Sequence, residues 1–420
     1  MSRWWPLTLR GTGMLVLGLC CFIAAGVVGL DALLWFGVLL VALPVVCAAY
    51  VLPARRAEHV ARSLEPEVAR VGMPVRVTVY ATVRTTLPTA AGMWLDTLPP
   101  GITGRPTGPL RGLGSGLRGA AQTLTLPYEV TASERGIRYI GPLVFDVVDP
   151  YGMARRRATA GDPTRIVVAP AIVDLGPVAG AALDVGGIQH ASASRLGQGS
   201  DNLTPRRYVP GDSMRRIHWR ATAHRDTLMV RQEEQDATPE ATVVIDRAAD
   251  RWAPAAARPG ADEDFERAVT ATMSAVARLV RDGYAVDVID DDGVPLCDQL
   301  AGFDGPAVDR LLAQTATLTS RARASTRPHP FDGATEALGG ALTGPVIVVA
   351  GRLDEAAVAS LAHLPAHTEL PALLAVAAVP EALQAAAEAG WRAIDIGSDR
   401  DLQTAWNDAV AIREMRDVRR

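Results

Sequence analysis

The chain has 420 residues, of which 49% are hydrophobic and 21% are charged, and its formal net charge is −4. This length suits two or three domains with apolar cores, and the hydrophobic share excludes a disordered chain. The negative net charge argues against bulk electrostatic attraction to nucleic acid.

The first 56 residues are predicted to form a transmembrane helical hairpin. Residues 11–30 and 32–52 contain no charged residue and are separated by Asp31 alone. Each stretch is long enough for a helix that crosses about 30 Å of hydrocarbon. Two arginines precede the first stretch and three follow the second: Arg3, Arg10, Arg55, Arg56 and Arg62. The positive-inside rule therefore predicts a two-pass cell-membrane protein with both termini in the cytoplasm; a cleaved signal peptide is the alternative.

The cysteines agree with that placement. Cys20, Cys21 and Cys47 lie in the apolar stretches, which leaves Cys297 alone in the rest of the chain. A lone thiol cannot form an intramolecular disulfide, so the sequence does not indicate an oxidising compartment. The Cys and His spacing does not fit a zinc site, and we predict no cofactor.

Residues 57–175 are predicted to form a β-sandwich domain. Residues 74–83, PVRVTVYATV, alternate between apolar and polar side chains, as a half-buried strand does. Further short β-type segments follow at residues 92–95, 122–126, 143–148 and 165–168. Turn-rich segments such as 98–101 separate them. Short strands at this spacing are typical of a sandwich.

Residues 237–420 alternate between strand and helix patterns. The predicted strands are 241–246, 285–289, 294–297, 346–350, 373–379 and 393–396, and the predicted helices are 264–281, 306–318, 355–364, 381–389 and 402–415. This order indicates a mostly parallel, Rossmann-like α/β sheet with helices on both faces. Ligands bind such sheets at the carboxyl ends of the strands. We therefore expect Asp246, Asp290 and Asp354 to lie at one rim of the sheet.

Residues 176–236 contain an arginine-rich segment with interleaved apolar residues. Its arginines are Arg206, Arg207, Arg215, Arg216, Arg220, Arg225 and Arg231. Three interpretations remain open: a packed linker between domains, a protein-binding surface, and a phosphate or nucleic-acid site. Catalysis is not predicted, because His218 and His224 lack a nucleophile with an orienting third group.

The segment resembles the signature of the domain of unknown function 58 family. The signature positions are Arg206, Tyr208, Gly211, Asp212, Arg215, Ile217, Trp219 and Arg231. Upstream, the pairs Arg135-Gly136 and Gly141-Pro142 and the turn at residues 149–152 resemble that family's β domain. Two positions depart from the pattern: His224 stands where Arg is usual, and Asp226 where Gly is usual.

The resemblance implies a bacterial protein with a membrane hairpin, a β domain and a von Willebrand factor A-like domain. It also implies two partners, a MoxR-type AAA+ ATPase and a transglutaminase-like membrane protein. We therefore expect a non-enzymatic, membrane-anchored interaction scaffold that does not bind nucleic acid; the sequence identifies no small-molecule substrate. Within the signature, we assign packing roles to Arg206, Tyr208, Asp212, Arg215 and Trp219. The candidates for partner contact are Arg207, Arg216 and Arg225.

The resemblance to A-like domains also raises the question of a metal ion. A metal-ion-dependent adhesion site needs Asp-x-Ser-x-Ser after the first strand, because carboxylate and hydroxyl oxygens suit a hard divalent cation. Residues 246–250 read Asp-Arg-Ala-Ala-Asp and lack both hydroxyls. Asp246, Asp250 and Asp354 are the remaining candidate ligands. The expectation is no metal, with a Mg²⁺-dependent, adhesion-like binding protein as the alternative; Asp290, Asp291 and Asp292 are predicted to form a solvated turn.

Overall fold

The chain divides into two compact units. A computed structural model describes residues 5–51, 56–84, 91–112, 121–178, 203–208, 217, 219–225, 227–233, 238–322, 329–339 and 344–411. Unit 1 comprises Met1–Ala171, Ala256–Asp262 and Leu312–Thr319, and unit 2 comprises Ile172–Ala255, Glu263–Leu311 and Ser320–Arg420. The finer division at residues 56, 175 and 236 stays a prediction.

Unit 1 begins with two apolar helices, α1 (Leu9–Val28) and α2 (Asp31–Val51). Both are long and apolar enough to cross a membrane. They approach closely at two glycines, since a Cβ on Gly18 would lie 3.1 Å from the carbonyl oxygen of Gly37. Large apolar side chains on the remaining surface are exposed, including Trp35 at 71%. The predicted pair of apolar helices is confirmed, and their orientation in a membrane stays a prediction.

Reporter fusions test that orientation. We expect fusions after residue 56 and after Arg420 to behave as cytoplasmic, because arginines flank the outer ends of both helices. In a bacterial host, a cytoplasmic fluorescent reporter should be active at both positions and a periplasmic phosphatase inactive. A fusion after Leu30, in the turn between the helices, should give the opposite pattern. Labelling of the C-terminus from outside intact cells would contradict the predicted topology.

The strands that the structure describes in unit 1 form three sheets. In chain order they are β1 (Arg56–Glu65), β2 (Val68–Arg70), β3 (Pro74–Arg84), β4 (Gly92–Asp96), β5 (Ile102–Gly104), β6 (Thr107–Leu110), β7 (Gln122–Ala132), β8 (Gly136–Ile140), β9 (Leu143–Val148), β10 (Arg155–Ala160) and β11 (Thr164–Ala169). Two sheets are antiparallel, with strand orders β1-β3-β7-β5 and β10-β9-β4-β6. The third, β2-β11-β8, is mixed.

The two antiparallel sheets contribute side chains to one apolar core. Val77, Val79 and Ala81 of β3 are fully buried and alternate with more exposed residues, as a strand with one buried face does. Trp94 of β4 and Phe145 of β9 belong to the same buried cluster. The sequence did not predict β1, because Arg, Glu and His weaken its apolar alternation.

A buried ion pair links β1 to β4. Arg62 donates from Nε and Nη2 to Asp96 at 2.9 and 2.8 Å, and both side chains are fully buried. The Tyr128 hydroxyl donates to the same carboxylate at 2.7 Å. A Cβ on Gly141, whose φ is +110°, would lie 2.6 Å from Arg62 Nη2, so glycine is needed there. Arg62, counted above among the charges flanking the hairpin, therefore has a packing role inside unit 1.

Among its described residues, unit 2 contains a two-stranded sheet and a five-stranded parallel sheet. Its elements are β12 (Leu203–Arg207), α3 (Trp219–Arg225), β13 (Met229–Glu233), β14 (Glu240–Ile245), α4 (Glu263–Arg281), β15 (Ala285–Asp290), the first part of α5 (Gly305–Thr315), α6 (Asp332–Leu338), β16 (Val346–Leu353), α7 (Glu355–Leu361), β17 (Pro371–Ala378), α8 (Pro380–Glu388), β18 (Arg392–Asp395) and α9 (Leu402–Ala411); the last residues of α5, from Leu312, belong to unit 1. The parallel sheet has the order β15-β14-β16-β17-β18. The α/β alternation predicted for this part of the chain is confirmed.

Helices cover both faces of the parallel sheet. Val244, Val348 and Leu373 belong to one apolar cluster with residues of α6, α7 and α8. The strand residues next to these point to the opposite face of the sheet. On that face, the buried side of α4 packs against the same strands. Helix α6 was not predicted from sequence. The strand predicted at 294–297 is instead an isolated bridge between Ile289 and Pro295.

A candidate functional site at the carboxyl edge of the parallel sheet

The strand order places a crevice between the carboxyl ends of β14 and β16. The chain leaves β14 for β15 on one side and later returns to β16 on the other, so the connections diverge at this point. Open α/β sheets bind ligands at such a switch point. Asp246 directly follows β14, and Asp354 directly follows β16. Asp290 ends β15, so the three predicted acids lie at the same edge of the sheet.

Arg251 fills the position between two of these acids. Its Nη1 lies 3.5 Å from Asp246 Oδ2, and its Nη2 lies 3.2 Å from Asp354 Oδ1. Nη1 also donates to the carbonyl oxygen of Arg352 at 3.0 Å, and the guanidinium lies 5.3 Å from the centre of the Phe331 ring. The Arg251 side chain is only 4% exposed. The crevice of the sheet is thus occupied by a cation of the chain itself.

Backbone groups fix Asp246 in this arrangement. Its side chain is fully buried and accepts from the N–H groups of Ala248 at 3.1 Å and Gly351 at 3.2 Å. Gly351 must be glycine because a Cβ there would lie 2.8 Å from the Trp252 ring. Asp354 caps α7 by accepting from Ala357 N at 2.9 Å. Both carboxylates are therefore oriented by the ends of the elements that carry them.

A second group of charges lies beside the first. Asp290 Oδ2 is 2.8 Å from Arg321 Nη2 and 3.4 Å from Arg247 Nη1. Arg321 also contacts Asp292 at 2.9 Å, and Asp291 accepts from the Arg247 N–H at 3.0 Å. The three acids are 0 to 6% exposed, so the prediction of a solvated turn at 290–292 is wrong. Sequence alone could not show that arginines 43 and 31 residues away neutralise Asp290.

Burial changes the acid–base properties of this edge. The pKa of Asp246 is raised to about 7 in total: desolvation is the largest cause, the nearby Asp291 also raises it, and Arg251 lowers it. Desolvation also raises the pKa of Asp291, and it lowers the pKa of Arg247. The edge therefore holds carboxyl groups that retain protons more readily than carboxyl groups in water.

The structure places the three candidate metal ligands differently from a metal site. Asp246 and Asp354 come together, but the guanidinium of Arg251 lies between them. Asp250 is exposed and belongs to the short 3₁₀ turn Ala249–Arg251. In the described part of the chain, His, Cys, Asp and Glu form no group of three or more that could hold a metal ion. The donor set at this edge thus fits an arginine.

The described part of the arginine-rich segment forms a strand pair with a short helix. β12 pairs with β13 in antiparallel register, so that Arg206 is opposite Val230 and Arg207 is opposite Met229. Ile217 is buried and forms a bridge with Val230. Tyr208 donates its backbone N–H to Leu228 at 2.9 Å. Two signature positions, Ile217 and Tyr208, are therefore joined to β13 and to the residue before it by backbone pairing.

The other signature and contact candidates have different outcomes. Trp219 was assigned a packing role, yet its side chain is 69% exposed on α3. An apolar residue in a short helix does not reveal from sequence which way it faces. Arg207 is also exposed, and Arg231 lies on β13 and Arg225 ends α3. Gly211, Asp212, Arg215 and Arg216 lie outside the described residues.

Comparison with known proteins gives one family match. The family described as "Protein of unknown function DUF58" matches residues 204–294. That range covers the arginine-rich strand pair, β14, α4 and β15, and with them Asp246, Arg251 and Asp290. The match therefore supports the resemblance seen in the signature. A comparison with curated proteins gives no match.

Two solved structures show weak similarity. One is a cohesin module from a Clostridium perfringens ATCC13124 family 33 glycoside hydrolase, which is 8% identical over 27% of this chain and 96% of the module, with a TM-score of 0.16. The other is the Northeast Structural Genomics Consortium target SoR45, which is 16% identical over 27% of this chain and 87% of that chain, with a TM-score of 0.15. At such scores neither similarity bears on fold or function.

Proposed function

We propose that this protein is a membrane-anchored, non-enzymatic scaffold that binds other proteins. The observation that carries the proposal is the 69% exposure of Trp219 inside the segment that matches the family. Leaving a tryptophan in water forgoes the free energy of burying a large apolar surface. Tryptophan and arginine are also the residues most enriched at the energetic centres of protein interfaces. An exposed Trp219 in an arginine-rich segment therefore favours a protein-binding surface.

Two further features support the proposal. Leu228 and Arg207 of the same segment are exposed, which adds apolar and cationic contact area to that of Trp219. The crevice where parallel α/β sheets bind ligands holds Arg251. The α/β part is then a von Willebrand factor A-like domain in which an arginine takes the position of the metal ion. The partners of the whole protein are a cytoplasmic MoxR-type AAA+ ATPase and a transglutaminase-like membrane protein.

Partner capture from membranes tests the proposal. The full chain with Trp219→Ala should lose at least about ten-fold in yield of a cross-linked MoxR-type ATPase, because truncating an interfacial tryptophan costs about 2 kcal/mol or more. Its melting temperature should stay unchanged, since exposed substitutions usually change stability by less than about 0.5 kcal/mol. Cross-linking followed by quantitative mass spectrometry measures the yield.

Phe303→Ala is the matched control. Phe303 is an aromatic residue of unit 2 with 78% exposure, and it lies outside the segment that matches the family. Its variant should capture the ATPase as wild type does. Undiminished capture by Trp219→Ala, or equal losses for both variants, would contradict the assignment of the binding surface.

A further inference from the structure

The start of the helical hairpin is fastened to strand β10 by backbone pairing. Leu7 forms an antiparallel bridge with Ala154. The Thr8 N–H donates to Met153 O, and the Arg155 N–H donates to Pro6 O, both at 2.8 Å. These bonds tie the chain just before α1 to the chain just before β10. The first residues of β10 therefore lie at the end of the hairpin where α1 begins and α2 ends.

Close packing makes this junction specific. The Thr8 hydroxyl donates to Gly152 O at 2.6 Å and also caps α1 by accepting from Gly11 N at 3.3 Å. A Cβ on Gly11 would lie 2.2 Å from Met153 O, so the helix and the turn before β10 are in backbone contact. Asp149 holds that turn by accepting from the N–H groups of Tyr151 and Ala154. Backbone groups on both sides of the junction, together with the side chains of Thr8 and Asp149, therefore hold it in place.

The junction is rich in the residue types that lie at membrane surfaces. Trp5 is 53% exposed and Tyr151 is 64% exposed, and both types are enriched where hydrocarbon meets headgroups. Strand β10 opens with three consecutive arginines, 155 to 157, of which the first and third share Asp146 as an ion-pair partner. Arg10, in the first turn of α1, adds another exposed positive charge. The local charge is therefore positive although the whole chain carries −4.

An apolar groove lies at the same end of the hairpin. It has a volume of about 280 Å³ and is lined by Trp5, Pro6, Leu7, Val45, Ala48 and Ala49. Such a lining suits part of a hydrocarbon chain and offers few partners to a polar ligand. Positive charge beside an apolar groove matches a phospholipid with an anionic headgroup.

We infer that this junction binds an anionic phospholipid of the bilayer that holds the hairpin. The basal patch, as we call it, comprises Trp5, Arg10, Tyr151, Arg155, Arg156 and Arg157, with the acyl chain in the adjacent groove. The inference rests on the proposed membrane anchoring, because that anchoring puts the patch at headgroup level. Continuity with the exposed apolar faces of α1 and α2 favours lipid over a soluble protein as the occupant.

Lipid co-purification tests the basal patch. The full chain is reconstituted in phosphatidylcholine vesicles with a minority of phosphatidylglycerol, then extracted in mild detergent, and bound lipids are quantified by mass spectrometry. The wild type should be enriched in phosphatidylglycerol. Arg10→Glu combined with Arg157→Glu should lower that enrichment by more than about five-fold, since the loss of one basic residue near an anionic surface already costs about that factor. Arg157→Gln alone should lower it less; both sites are exposed, which favours correct folding.

Arg76→Glu is the matched control for charge reversal. Arg76 is exposed and lies opposite Glu65 in the register of β3 and β1. Glu65 ends β1, roughly 30 Å along the strand from Arg56, which begins β1 shortly after α2. The phosphatidylglycerol enrichment of the Arg76→Glu variant should equal that of the wild type. Enrichment that survives Arg10→Glu with Arg157→Glu, or that falls equally in Arg76→Glu, would overturn the inference. Release of the wild type from vesicles by alkaline carbonate would instead refute the membrane anchoring itself.

Discussion

Replacing Arg251 with alanine should lower the free energy of unfolding of unit 2 by about 3 to 5 kcal/mol at pH 8. The guanidinium is 4% exposed and faces Asp246, which is fully buried. Without it, Asp246 keeps its bonds from two backbone N–H groups but loses its cation. An uncompensated buried carboxylate is among the most destabilising defects a protein can contain. Hydrogen exchange of amides in β14 and β16 of the full chain measures the loss locally.

The loss should depend on pH. Because the pKa of Asp246 is raised from 3.8 to about 7, the folded chain binds a proton that the unfolded chain releases within that window. The stabilising contribution of this proton falls as pH rises through the window and is gone above about pH 7. Removing Arg251 raises the pKa of Asp246 further, since the arginine lowers it in the wild type. The cost of Arg251→Ala should therefore be clearly smaller at pH 5 than at pH 8.

Arg352→Ala serves as the control, because Arg352 is exposed on β16 next to the same site. We expect it to change the free energy of unfolding by less than about 0.5 kcal/mol at either pH. A pH-independent loss in Arg251→Ala would mean that the loss of packing, and not the charge of Asp246, dominates. A saturable rise in the melting temperature of the wild type with Mg²⁺ would revive the metal-dependent alternative.

Arg62→Ala should destabilise unit 1 by a similar amount, about 3 to 5 kcal/mol. It strips both charge-assisted bonds from Asp96, which is 1% exposed and retains only the Tyr128 hydroxyl among the three side-chain bonds described above. Burial raises the pKa of Tyr128, with Asp96 as the next cause, so the tyrosine stays a neutral donor. Urea titration of the full chain in detergent, followed by limited proteolysis within β1 and β7, measures the loss.

Two further variants, Arg62→Lys and Arg76→Ala, serve as comparisons for Arg62→Ala. Lysine keeps the charge but cannot reproduce the two parallel bonds of a guanidinium, so its variant should fall between wild type and Arg62→Ala. Arg76 is 62% exposed and lies 3.6 Å from Glu129, which is 65% exposed. A surface pair of this kind contributes at most about 1 kcal/mol. An Arg62→Ala protein as stable as Arg76→Ala would show that the buried pair does not stabilise unit 1.

The sequence by itself determined the features that repeat along the chain. Two uncharged stretches sufficed for α1 and α2, since helix length and hydrophobicity are local properties. The alternation of apolar residues predicted β3 with an error of one residue at its C-terminal end. Apolar residues at helical spacing predicted α4 with an error of one residue at its N-terminal end. The order of strands and helices after residue 237 indicated a parallel sheet whose strand ends share one edge. That rule correctly placed Asp246, Asp290 and Asp354 together.

Only the tertiary structure decided which charges meet and which side chains face water. Arg62 and Asp96 are 34 residues apart, and Arg251 reaches Asp354 across 103 residues. No local period encodes such pairs, because they depend on strand order and on the directions in which two elements end. The same holds for the burial of Asp291 and the exposure of Trp219. A helix or strand is determined by the hydrophobic pattern of consecutive residues. A site is assembled from residues that are far apart in the sequence, so its contacts depend on the tertiary structure.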